Sequence, residues 1–405
     1  MFDSICICFV IMGILLLILG NYNIRKNKNA IKLQKNKSQN LAILVPARDE
    51  SKVIEGLLKS IKEQTVTIDM KDVYVIVEEQ KDKTVTICKK YGATVVFRTN
   101  PERQRKGYAL DEAIKQIEKD YDLYFIFDAD NVLDQNYIKE MLETYNAGYD
   151  IGIGYRNCKN GNDNVIAACS SLTFSMINTL GNSFRNKYNV NSIISGTGFY
   201  IKGKWIKKWR GYPFCSLTED YELSLYAILN DMTTYYNDKA IFYDEQPIKY
   251  KQTVKQRVRW IKGYFESRKK YVPLIAEKMN KTESNYGSKY NVCIGVRPYI
   301  YIAIGVILYV IKSFMALITR NFNRSNSVLV IAIILLCVIF VAYIIMMIVT
   351  IVMLKRDKLN LSKEMKIKTI LYNPIYLSTY VSCALKALFI KEIAWEKIEH
   401  KVNIK

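Results

Sequence analysis

Four short stretches of this 405-residue chain carry the residue types that chemistry needs. Asp128-Ala129-Asp130 sets two carboxylates two residues apart, Thr218-Glu219-Asp220 sets two side by side, and Asp244-Glu245 adds two more. Gln256-Arg257-Val258-Arg259-Trp260 follows them, reading Gln-x-x-Arg-Trp. Hard carboxylate oxygens suit Mg2+ or Mn2+, and Mg2+ commonly binds through one or two carboxylates plus substrate phosphates. A carboxylate held at a helix start suits a general base, which makes Asp220, with Glu219 beside it, the candidate to take a proton from an acceptor hydroxyl. Arg259 can pair with phosphate, and Trp260 offers a flat face on which a ring can stack. The expectation is one pocket in which Asp128 and Asp130 hold a cation and a diphosphate departs.

Each stretch also has a plainer reading. A lone Asp-x-Asp can be a solvated turn. Thr218 would cap a helix over Tyr221–Leu229, with acids in the first turn favoured by the helix dipole. Residues 253–275 read as a basic amphipathic helix: Val254, Val258, Ile261 and Phe265 alternate with Lys255, Arg257, Arg259, Lys262 and Arg268. Such a helix lies readily on a membrane surface. That accounts for the charges but not for Gln256 and Trp260, four apart and on one side.

The elements that must position these residues alternate. Leu41–Val45, Val73–Val77, Ala93–Phe97 and Leu123–Phe127 read as buried strands. Ser51–Gln64, Thr84–Tyr91 and Ala109–Ile117 read as helices between them. That order predicts an α/β domain with a mostly parallel sheet. Ligands then bind beyond the carboxyl ends of the strands, where Glu50, Glu78 and Asp128 fall. Arg98, Arg103, Arg105 and Lys106 form a basic loop before Gly107, either solvated or near a diphosphate. Ser195-Gly196-Thr197-Gly198 permits close backbone approach to a ligand.

The net charge of +21, from 59 Lys+Arg against 38 Asp+Glu, suits nucleic acid, anionic lipid or phosphate-bearing substrates. A nucleic-acid partner explains the charge but not the apolar segments. Ile5–Leu19 is long enough, with its flanks, to cross a bilayer. No Lys or Arg precedes it, whereas Arg25, Lys26, Lys28, Lys32, Lys35 and Lys37 follow, so an uncleaved anchor leads into the cytoplasm. Pro298–Ile318 and Val328–Leu354 are two further spans, joined by a polar turn over Thr319–Ser327. Ile370–Ile390 holds Pro374 and Lys386 and suits a re-entrant or interfacial segment. The nine cysteines include no Cys-x-x-Cys and the one histidine is His400, which argues against zinc. The expected layout is an anchor over 1–24, a basic linker over 25–40, and an α/β domain over 41–252. An interface helix region over 253–290 and a C-terminal membrane region over 291–405 complete a multi-pass cell-membrane protein with its α/β domain cytoplasmic.

Taken together, the motifs resemble those of membrane-bound family 2 inverting glycosyltransferases of the GT-A fold, such as cellulose, hyaluronan and poly-N-acetylglucosamine synthases. Pro46-Ala47-Arg48-Asp49-Glu50 resembles the first nucleotide-binding loop, and Lys106-Gly107-Tyr108-Ala109-Leu110 the loop before the metal strand. Asp128-Ala129-Asp130-Asn131, Gly196-Thr197-Gly198, Thr218-Glu219-Asp220, Tyr243-Asp244-Glu245-Gln246-Pro247 and Gln256–Trp260 follow in the family's order. Trp395 and Glu399-His400 in the tail also fit. The resemblance implies a UDP-sugar donor, a divalent cation and a saccharide or lipid-linked acceptor at the membrane. Pro46, Ala47, Glu50, Glu78, Lys106, Asp128, Gln256 and Arg259 would meet the nucleotide-sugar, and Asp130 would ligate the metal. Gly196, Thr197 and Trp260 would meet the acceptor. Glu78 departs from the family's usual Asp at the nucleobase, lengthening the arm by one methylene. The rivals are addition of a single sugar to a lipid without chain growth, and a basic membrane-surface binding protein that has lost its carboxylates. The membrane segments are few for a polymer channel, which a homo-oligomer would enlarge.

Overall fold

The strand β1 (Leu41–Pro46) is buried along almost its whole length, as a central parallel strand must be. It pairs in parallel with β2 (Val73–Val77) and β4 (Leu123–Ile126), and β2 pairs in parallel with β3 (Thr94–Phe97). The computed structural model of the chain describes residues 2–26, 40–281, 284–319, 324–390 and 393. Most of the basic linker, part of the 319–327 turn, and Trp395, Glu399 and His400 lie outside the described residues. The sheet has eight strands in the order β3-β2-β1-β4-β7-β6-β8-β5, adding β5 (Val132–Leu133), β6 (Ile151–Cys158), β7 (Phe199–Lys202) and β8 (Thr234–Asp244). β7 runs antiparallel to β4 and β6, β8 runs parallel to β6, and β5 runs antiparallel to β8. The sheet is therefore mixed and mostly parallel, a GT-A arrangement, as expected.

The chain opens with α1 (Phe2–Arg25). One face of the sheet is covered by α2 (Ile54–Lys62), α3 (Lys83–Tyr91) and α5 (Tyr137–Asn146); the other by α4 (Lys106–Gln116), α8 (Gly203–Trp209) and α9 (Glu219–Leu229). Ile54, Leu57, Leu58 and Ile61 are the buried face of α2, the i, i+3, i+4, i+7 spacing of an amphipathic helix. The Asp82 side chain accepts from Thr84 N–H to open α3, and Gly92, at φ 79°, closes it. Helix α4 starts three residues earlier than its apolar pattern indicates, so Lys106 stands in a first helical turn and not in a loop. Gly107 permits this: a Cβ there would lie 1.9 Å from Phe214 O.

Between β6 and β7 the chain forms α6 (Val165–Met176), a π-helical turn over Ile177–Asn182, and α7 (Ser183–Lys187). After the sheet come α10 (Tyr250–Lys281), α11 (Tyr286–Ile294), α12 (Arg297–Thr319), α13 (Arg324–Arg356) and α14 (Lys363–Phe389). Ser4–Arg25, Tyr286–Lys312 and Ile339–Arg356 are long and apolar enough to cross a membrane. The first two approach closely, because a Cβ on Gly13 would strike Ile302 and Pro298 O, and one on Gly305 would strike Cys6 O and Val10. α14, holding Pro374, is not in that set. It packs against α6, α10 and α13, and the 357–362 connection is tied to the sheet domain. There the Tyr155 hydroxyl donates to Asp357, and Asn157 Nδ2 donates to Lys358 O.

Candidate active site

A cavity of about 750 Å³ opens beyond the carboxyl ends of β1, β2 and β4 and runs between α9 and α10. Pro46, Ala47 and Glu50 line it from the end of β1, Glu78 from β2, and Asp128 and Asp130 from β4. Glu78 faces two guanidiniums: Arg48 Nε lies 2.9 Å from Oε2 and Arg98 Nη1 3.6 Å from Oε1. Arg98 is itself held by Glu112 at 3.0 Å, whose other oxygen accepts from Thr99 and Asn100 N–H. This corner is thus built from paired charges.

The turn after β4 is fastened from below. Asp128 N–H donates to Thr197 Oγ1 at 2.8 Å, and that hydroxyl donates to Asn131 Oδ1 at 2.5 Å. Thr197, expected at the acceptor, does not line the cavity; it is fully buried and supports Asp128 instead. Asp130 accepts from Asn131 Nδ2 at 3.1 Å and from Glu245 N–H at 3.2 Å. Lys106 Nζ donates to Asp128 Oδ1 at 2.5 Å and to Gly196 O at 2.8 Å. Among the described residues no three His, Cys, Asp or Glu side chains form a metal-holding cluster. Two carboxylates sharing one cavity still suit Mg2+ or Mn2+, whose other ligands would be diphosphate oxygens and water.

Glu219 and Asp220 enter from the first turn of α9. Burial pushes the Glu219 carboxyl up to about 7, with the Asp220 charge adding to the rise. Burial also raises Asp220, against the pull of the Tyr221 N–H, Lys106 and Arg259. The pair therefore holds protons more tightly than exposed acids do. Gly196, at φ 86°, leaves room beside Asp220: a Cβ there would sit 3.7 Å from Oδ2. Thr218 occupies the cap position, yet its hydroxyl makes no cap bond and has no partner. It is pressed against α10, where a Cβ on Gly263 would lie 2.4 Å from Oγ1.

Helix α10 splits its motif between two faces. Gln256, Arg259 and Trp260, at i, i+3 and i+4, all line the cavity. Arg257 points away and is fully buried, not spread on a membrane surface as the charge pattern suggested. It donates to Thr379 Oγ1 at 2.7 Å and Tyr376 O at 3.3 Å, with its guanidinium 4.4 and 4.7 Å from the Tyr376 and Tyr380 ring centroids. α14 is thereby fixed to the site, and Tyr380 reaches the cavity wall.

Arg156 and Phe174 also line the cavity and were not anticipated from the sequence. Arg156, on β6, donates from Nε to Asp244 Oδ2 at 2.6 Å and from Nη1 to Ser195 O at 2.7 Å. Its guanidinium lies 3.8 Å from the Phe174 ring centroid, and Phe174 meets Trp260 edge-on at 5.7 Å. Burial pushes the Asp244 carboxyl up to about 6, Arg156 opposing the rise and Asp130 adding to it. One signal was available: an arginine directly after the apolar run Ile151–Tyr155, within the same strand, needs a buried partner.

The sequence and fold were compared with known proteins. Residues 38–263 match the model for the family described as glycosyltransferase like family 2. The probable glycosyltransferase YdaM of Bacillus subtilis (strain 168) is 25% identical over 239 residues, 55% of this chain and 54% of that one. The poly-beta-1,6-N-acetyl-D-glucosamine synthase of Staphylococcus epidermidis is 24% identical over 241 residues, 58% of this chain and 57% of that one. The chain thus spans little more than half the length of these curated relatives. Among solved structures, a mannosyltransferase from Pyrobaculum calidifontis, determined with GDP-Man and Mn2+, superposes with a TM-score of 0.56. It is 13% identical, over 97% of this chain and 100% of that one, a likeness of fold. With its family match covering more than half of the chain and its carboxylates gathered in one cavity of a GT-A sheet, this protein belongs to the family 2 glycosyltransferases.

Proposed function

We propose that the chain moves a sugar, glucose or N-acetylglucosamine, from a UDP-sugar to a membrane-associated saccharide or lipid acceptor. The transfer inverts the anomeric carbon, occurs at the cytoplasmic face of the cell membrane, and serves cell-envelope polysaccharide synthesis. One observation carries the reading: Asp128 and Asp130, Glu219 and Asp220, and Gln256, Arg259 and Trp260 all line a single cavity. The relative named as a poly-beta-1,6-N-acetyl-D-glucosamine synthase supports it.

In this reading Pro46, Ala47, Glu50 and Glu78 receive the nucleoside, and Asp128 and Asp130 hold Mg2+ or Mn2+. When bound, such a cation supplies neutralisation of the charge that builds on the departing diphosphate. Gln256, Arg259 and Lys106 hold the diphosphate. Arg259 has no carboxylate within salt-bridge distance among the described residues, its charge acting on Glu219 and Asp220 only across the cavity. Asp220 removes the acceptor hydroxyl proton as that oxygen bonds to the anomeric carbon and the bond to the diphosphate oxygen breaks. Its raised proton affinity makes it a stronger base than an exposed aspartate. Glu219 stands beside it, its own proton affinity raised by burial and by the Asp220 charge. Trp260 and Gly196 border the acceptor.

Release of UDP from UDP-glucose or UDP-N-acetylglucosamine on adding Mn2+ and membranes tests this reading; no release from either donor overturns it. A second reading, addition of a single sugar without chain growth, is favoured by the three crossing-length helices among the described residues, few for a polymer channel unless copies associate. Product length from labelled donor separates the two.

A further inference from the structure

The helical part of the cavity wall contains a cation that the reaction above does not use. Arg185, on α7, lines the cavity, whose wall also includes Phe174, Ile177, Ile193 and Tyr264. The one hydrogen bond of its side chain among the described residues is long, Nη1 donating to Asn291 Oδ1 at 3.3 Å, and no carboxylate there pairs with it. Asn291 lies in the crossing-length segment Tyr286–Lys312. One residue past α7, the Tyr188 ring lies 5.9 Å from the guanidinium of Arg25, the last residue of α1. Arg185 therefore stands where two membrane helices emerge, the level of lipid headgroups. Burial lowers its proton affinity, the Tyr221 phenol only partly opposing the fall. Ahead of it the π turn puts Gly181 on the cavity wall and leaves Leu180 47% exposed, an open apolar rim.

We propose that this end of the cavity binds the phosphate of a membrane-anchored acceptor, with the Arg185 guanidinium as its counter-ion and the lipid tail leaving over the rim at Gly181 and Leu180. The proposal rests on the glycosyltransferase reading and narrows its acceptor to a phosphate-bearing lipid whose free hydroxyl reaches Asp220 in the same cavity. A guanidinium matches phosphate through two parallel N–H···O bonds, a geometry that a neutral lipid alcohol cannot return.

The test needs no turnover. The full chain in a neutral maltoside detergent is titrated with a long-chain polyprenyl monophosphate, with the matching polyprenol and with inorganic phosphate, bound lipid being counted by native mass spectrometry. The expected result is that the phosphate lipid binds about tenfold or more tighter than the alcohol, the scale of one charge-assisted hydrogen bond. Arg185→Gln abolishes that preference and Arg185→Lys keeps part of it. Thermal unfolding and Mn2+-dependent UDP binding report whether each variant is folded, and the lysine variant decides should the glutamine variant not fold. Equal retention of the two lipids by the unaltered chain, or an unchanged preference in Arg185→Gln, overturns the proposal. Displacement of the phosphate lipid by inorganic phosphate at equal concentration assigns the site to free phosphate and overturns its lipid part. A chain that passes this test yet releases no UDP from any donor contradicts the transfer reading and leaves the phosphate site standing.

Discussion

The two ends of the cavity are built on opposite plans. At the end proposed for the nucleotide, residues hang from the ends of adjacent parallel strands, and charges meet in pairs: Arg48 with Glu78, Arg98 with Glu112, Lys106 with Asp128. At the membrane end the wall is made of helices, one with a π turn, and Arg185 and Arg259 face the cavity without a paired acid among the described residues. Paired charges on a stiff sheet form a preorganised receptor for a ligand of fixed shape. Unpaired cations on helices that also pack on membrane segments suit a larger anionic ligand arriving from the lipid side. On the proposed assignment, donor and acceptor recognition would rest on separate structural supports that meet at Asp220 and Trp260.

That contrast can be broken by substitution. Asp220→Asn stands at the junction and should lower transfer by about 10²–10⁴ while UDP binding persists, measured as labelled product against UDP affinity. Undiminished transfer in that variant removes the base from its role. Arg257→Met should detach α14 from α10, since it deletes the buried cation, its two hydrogen bonds to α14 and its ring contacts. A loss of roughly 2–4 kcal/mol in stability is expected, read as an earlier thermal unfolding. An unaltered melting point would show that the membrane end does not depend on this tie. The pH profile is a gentler probe. The base works ionised, and burial raises the Glu219–Asp220 pair, Glu219 to about 7. Transfer should therefore decline with falling pH at a higher pH than an exposed aspartate base would set. A profile flat down to pH 5 would contradict that. The smallest effect belongs to Glu78→Asp, which keeps the charge between Arg48 and Arg98 and should change donor KM by less than about tenfold.

The same contrast governs how much could be read from the sequence. Strands β1 to β4 were legible because each is a short run rich in β-branched, aliphatic or aromatic residues, and the fold rule then put Glu50, Glu78 and Asp128 at their ends. Lys106 was misassigned to a loop because glycine at 107 weakens a helix start, and only the tight approach of Phe214 O shows why it stands there. The segment Val165–Lys187 gave no periodic signal, since Ala167 to Leu172 are buried on every side and a helix buried all round shows no stripe. Arg156 could not be matched to Asp244, 88 residues away, from one chain alone. Arg257 looked like surface charge because its burial depends on α14, over a hundred residues later.

The most direct test of the junction is sugar transfer from labelled UDP-sugar and Mn2+ into membranes carrying the full chain, with Asp130→Ala and Trp260→Ala beside the unaltered protein. The account predicts that both variants lose transfer, but that only Asp130→Ala loses Mn2+-dependent UDP binding. Wild-type transfer by Trp260→Ala, or full transfer by Asp130→Ala, would contradict one cavity serving both substrates.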